Sequence, residues 1–187
     1  IYPSMKKHLL TLLLFIFPFL ISGQSIFEQF QNNKNVTSIS ITPKMFQMLG
    51  SLAISSDDSE SKVLKEIING INSFKALITG SSDIITHMTK WVETISNKED
   101  LEQIIAITDK NIEMNIYTKY GQEDGGLKTI LIFSKEVSDE QNDDIKYSKK
   151  VEAFLLLVEG KISIENISKL ISKLNLPGSN QLKKVGI

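Results

Sequence analysis

The chain contains no cysteine and no arginine, and it has only two histidines, one tryptophan and four prolines among 187 residues. Each shortage removes a class of chemistry. Without thiols there is no disulfide framework, no cysteine nucleophile and no zinc finger. Without arginine there is no planar fork to grip phosphate or carboxylate through two parallel bonds. The motifs that announce common enzymes are missing too: no G-x-S-x-G elbow, no Walker loop and no dinucleotide fingerprint occur. No basic patch of the kind that marks a nucleic-acid binder is visible. The sequence therefore predicts no cofactor and no nucleic-acid partner.

What is present begins with an apolar run. Lys6 and Lys7 precede an uncharged stretch from Leu9 to Ile21, and Ser22-Gly23 supplies small residues just after it. That is the three-part layout of a secretory signal peptide. The run falls short of the roughly 20 residues needed to span a bilayer, and Pro18 weakens a long helix there. An uncleaved anchor is the alternative reading. Met5 reads as the initiator, which makes residues 1–4 an upstream remnant and residues 5–23 the signal, with cleavage between Gly23 and Gln24. Ile21-Ser22-Gly23 matches a bacterial lipobox, but Gln24 stands where the lipid-bearing cysteine would be. With no thiol there is no thioether lipid. The expected product has no stable membrane anchor and is periplasmic or secreted.

Residues 24–187 then form one domain, enough for a single core and too few to expect two. Its 19 lysines against 22 aspartates and glutamates give a net charge of −3. His8 leaves with the signal, so His87 is the sole imidazole of the released chain, and a multi-histidine metal site is excluded by count.

Along this domain, "SIFEQFQNNKN" (25–35) reads as a polar lead-in with Ile26, Phe27 and Phe30 as docking points. "VTSISI" (36–41) alternates as a half-buried strand does. Thr42-Pro43 caps a helix whose apolar face is Met45, Phe46, Met48, Leu49 and Leu52. A second helix buries Val63, Leu64, Ile67 and Ile68 and ends at Gly70. "SFKALIT" (73–79) is a strand, and Ser82 caps a longer helix to about Ser96. Four strands follow: 101–108, 111–120, 127–136 and 151–160. The last two are apolar on both faces near their middles, which makes them central and covered on both sides. A final helix, capped at Ser163, runs through Ile164, Ile167, Leu170, Ile171 and Leu174. The order β-α-α-β-α-β-β-β-β-α predicts an α+β fold, with a largely antiparallel sheet of five to six strands and three to four helices.

Few constellations carry chemistry. His87 and Trp91 lie four apart on the long helix and share a face, a candidate ligand-binding spot or a boundary position at the core edge. Asp139, Glu140, Asp143 and Asp144 are a weak candidate for a cation. Their spacing is not that of a calcium loop and no glycine turns it, so a solvated acidic loop is the plainer reading. A hydrolase built on two carboxylates needs a pair flanking one bond. Glu152, Glu159 and Glu165 lie near element ends, but 22 acidic residues make some such trio inevitable.

"QSIFEQFQNNKNVTSISITPKMFQML", "FKALIT" and the closing "FLLLVEGKISIENISKLISKLNLPGSNQL" together resemble an exported bacterial family, domain of unknown function 4252. The resemblance runs from about Ser25 to Lys184. Its most specific parts are the Val-Thr-Ser strand leading into the Met45-Phe46 helix and a Glu-Gly turn before the Ile-Ser-Lys-Leu helix. It implies an exported single domain without an assigned activity, lipid-anchored in some members, and it supplies no catalytic residue. The expectation is a non-enzymatic domain binding another envelope component or a second copy of itself. The alternative is a carboxylate-based hydrolase acting on glycan or peptide outside the cytoplasm.

Overall fold

A computed structural model describes residues 25–53, 65, 67–109, 112–121, 126–136, 153–163 and 165–166. The expected cleavage site, the acidic loop at 138–144 and the body of the last predicted helix lie outside these residues.

Ser25 opens the described chain by capping a short helix, α1 (Ile26–Phe30), its Oγ accepting from the Phe27 backbone N–H at 3.3 Å. Ile26, Phe27 and Phe30 are all buried. The predicted lead-in is therefore a helix. Its apolar spacing is helical but spans little more than one turn, and a helix this short holds only through packing.

Strand β1 (Val36–Ile41) passes into helix α2 (Pro43–Ala53). The cap is as expected: Thr42 Oγ1 accepts from Met45 N–H at 3.3 Å, and Pro43 fills the first helical position without leaving a donor unpaired. The predicted apolar face divides, however. Phe46 is 1% exposed and meets Phe74 edge-on at 6.0 Å, whereas Met45 and Met48 are 47% and 59% exposed. Residues 67–70 are helical with Ile67 and Ile68 buried, and strand β2 (Ile71–Thr79) follows Gly70 directly.

Helix α3 (Ser82–Lys98) buries Ile84, Ile85, Met88 and Val92. Its N-cap is Ser81, one residue before the predicted cap. The C-terminus closes through two backbone bonds, Leu101 N–H to Ser96 O at 2.8 Å and Asp100 N–H to Asn97 O at 3.4 Å. Asp100 takes the left-handed conformation (φ 54°) that this closure requires.

The remaining strands are β3 (Glu102–Asp109), β4 (Ile112–Tyr120), β5 (Leu127–Glu136) and β6 (Ala153–Ile162). After β6, Ser163 Oγ accepts from Asn166 N–H at 3.1 Å, the capping bond expected there. The fold is α+β, with one six-stranded sheet in the order β1-β2-β6-β5-β4-β3 and every neighbouring pair antiparallel. As the sequence predicted, β5 and β6 are central.

Register fixes what each face carries. One row runs Ile39, Ala76, Leu156, Ile132, Ile116 and Ile105 across all six strands. That face is mainly apolar, with Thr118 and Ser134 as buried polar residues, and packs with Phe46, Ile67 and Ile68. The opposite face carries Leu77, Leu155 and Phe133 beneath α1 and α3. On β4 and β3 this second face turns polar: Gln103 Nε2 donates to Asn115 Oδ1 at 2.8 Å, and Lys135 pairs with Glu113 at 2.9 Å. The change of character leaves α3 over the central strands and opens space beside it.

Candidate functional site

That space is a cleft of about 500 Å³ between the C-terminal half of α3 and the second face of the sheet. Its size falls within the roughly 300–1,000 Å³ typical of small-molecule sites. Leu131 and Leu157 come from neighbouring central strands, where they face each other in register. Trp91 and Ile95 face them from α3, one turn apart, and Leu101 closes the helix end. The polar margin holds Lys75, Lys98, Lys119, Glu99 and Glu159.

Trp91 is held by α1. Its ring meets Phe27 edge-on, with centroids 5.7 Å apart and planes at 87°, a favoured aromatic geometry. His87, one turn earlier, is exposed and tilts against Phe30 at 5.8 Å. The two predicted residues do share a helix face, as their spacing required. They dock onto successive α1 aromatics, and of the two only Trp91 lines the cleft.

The lysines differ in their attachments. Lys119 Nζ donates to the Glu99 backbone carbonyl and lies 3.9 Å from the Glu99 carboxylate, tying β4 to the end of α3. Lys75 sits in β2 between Ser40 and Leu157 and is half-buried, with no hydrogen bond or ion pair to another described residue. Sequence reading passed over it. The signal was a lone charge within the otherwise apolar "FKALI" of a strand. Beside the cleft, Tyr117 faces Leu131, and burial together with Glu93 and Glu113 raises its phenol above the usual value.

Among the described residues no three histidine, aspartate or glutamate side chains converge to hold a metal. None of the described helices is long and apolar enough to cross a membrane.

One comparison decides the family. The model described as "Domain of unknown function (DUF4252)" matches residues 30–170. The chain belongs to the DUF4252 family. No curated protein and no solved structure matches it. The matched stretch includes all six strands and every residue lining the cleft except Ser25. Within this DUF4252 domain the Glu-Gly pair expected as a turn is Glu159-Gly160, and both residues belong to β6. The strand runs on to Ile162 because Gly160 adopts φ 146°, absorbing an irregularity in pairing instead of reversing the chain.

Proposed function

We propose that this DUF4252 domain is an exported binding protein of the cell envelope, with the cleft between α3 and the sheet as its ligand seat. The observation that carries this is the cleft's make-up: a continuous apolar wall of Trp91, Ile95, Leu131 and Leu157, with charged groups confined to its margin. Such a surface favours capture of an apolar body over bond-breaking, which requires a nucleophile with its base or a metal. Export is supported by the lysine-led apolar segment ending at Ser22-Gly23.

Trp91 is the only tryptophan in the chain, so its emission reports on the cleft directly. Titration with 1-anilinonaphthalene-8-sulfonate should quench Trp91 saturably and transfer energy to the probe. Leu157→Arg, which places a charge on the wall, should abolish that response. An unchanged response in this variant would sink the reading. Mass spectrometry of the exported product should give a chain starting at Gln24.

A carboxylate-based hydrolase is the second reading, favoured by the presence of Glu99 and Glu159 in one cleft. Both residues are exposed, and Glu99 lies beside Lys119. A general acid needs surroundings that hold its proton, typically an apolar pocket. Retained turnover of a glycan or peptide in Glu159→Gln would remove this reading.

A further inference from the structure

We propose that the cleft takes a monoanionic amphiphile, an acyl or aryl carboxylate whose apolar part lies on Trp91, Leu131 and Leu157 and whose carboxylate meets Lys75. This rests on the cleft being a ligand seat and goes further by assigning the ligand's charge and the residue that reads it.

Lys75 supplies the first argument. A lysine half out of water beside an apolar wall carries a desolvation cost that a partner normally offsets. Here the described residues offer none: Ser40 and Leu157 flank Lys75 across the strands, and no carboxylate bonds to it. A ligand carboxylate would complete a charge-assisted hydrogen bond in that position.

Charge balance supplies the second. Three lysines and two glutamates leave the cleft at +1. Lys119 is already engaged by Glu99, and Glu159 faces the same space. Lys75 and Lys98 against Glu159 leave a net +1, which matches a single negative charge, and Glu159 disfavours a doubly charged phosphate head. The absence of arginine points the same way, since lysine acts as a point charge and not as a two-toothed phosphate clamp.

The wall supplies the third. Trp91 is fixed by Phe27, and Leu131 and Leu157 come from the two central strands of the sheet. A surface already ordered loses little freedom when an apolar chain or ring settles on it.

The test follows Trp91 emission of the purified protein during titration with dodecanoate, dodecanol, dodecylammonium and dodecyl phosphate, each below its micelle concentration. Dodecanoate should bind about tenfold more tightly than the other three, and added salt should weaken it. Lys75→Met should raise the dodecanoate Kd about tenfold and leave dodecanol unchanged. Lys128→Met, an exposed β5 lysine outside the cleft, should change neither. Should Lys75→Met fail to unfold cooperatively, Lys75→Gln and the salt dependence of the unaltered protein carry the same comparison. Equal binding of dodecanol and dodecanoate, or an unaltered dodecanoate Kd in the Lys75 variants, overturns the carboxylate assignment and leaves the ligand seat standing. Tightest binding of dodecyl phosphate overturns it in favour of a phosphate head. Silence toward all four amphiphiles overturns both.

Discussion

Tyr117 shows how one side chain can carry a pH dependence that the rest of the molecule does not announce. It lies on β4 facing Leu131, where burial, then Glu93 from α3 and Glu113 from its own strand, disfavour the phenolate. In the unfolded chain a tyrosine titrates near pH 10. Above that pH the unfolded form has lost the Tyr117 proton while the folded form retains it. Stability therefore falls as pH rises through the unfolded value, because the unfolded state then binds fewer protons. Other groups titrate in the same range, so the informative quantity is a difference. The stability of the unaltered protein relative to Tyr117→Phe should shrink between pH 8 and pH 11, read from urea midpoints. A constant difference would remove the assigned cause.

Among the elements, β6 is shaped by close backbone contact. Gly160 lies against the backbone of Gly70, Ile71 and Asn72, and a methyl group on Gly160 would overlap the Gly70 carbonyl oxygen. A Cβ on Gly70 would in turn overlap the Lys161 carbonyl. Gly160→Ala should lower stability by about 2 kcal/mol or more, since a left-handed φ alone costs about 1–3 kcal/mol in other residues. Gly121→Ala is the control, because a Cβ there would sit 3.4 Å from the Gly126 oxygen, an ordinary contact. Urea unfolding of the two variants separates them. The Glu-Gly pair was legible as a special position, but a sequence does not distinguish a glycine that reverses a chain from one that lets two strands touch. Other elements divide similarly. The strands and α3 could be read because their patterns run over six residues or more. α1 could not, since Ile26, Phe27 and Phe30 complete little more than one turn. Met45 and Met48 were placed inward because α2 is amphipathic, yet only Phe46 of these three reaches the core. The cleft was half legible. Trp91 stood out by composition, whereas Lys75 gains meaning only once β2 is seen beside β6.

Across the whole molecule, strand order separates chain order from spatial order. β1 and β2 form one local unit, and β3, β4 and β5 form another through consecutive antiparallel pairings. Only β6 joins them, pairing with β2 on one side and β5 on the other. A chain ending at residue 136 retains five of the six strands but has no sheet that unites them. It should show no cooperative urea transition, whereas the full chain should show one. A cooperative transition in the shortened chain would mean that β2 and β5 can pair without β6. The same order has a consequence during synthesis. A ribosome adding about 5–20 residues per second completes β6 roughly one to five seconds after β5. Throughout that delay the inward edges of two apolar strands stand open to any neighbouring chain. The hazard of making this protein is thus set by the lateness of its middle strand, however stable the finished sheet becomes.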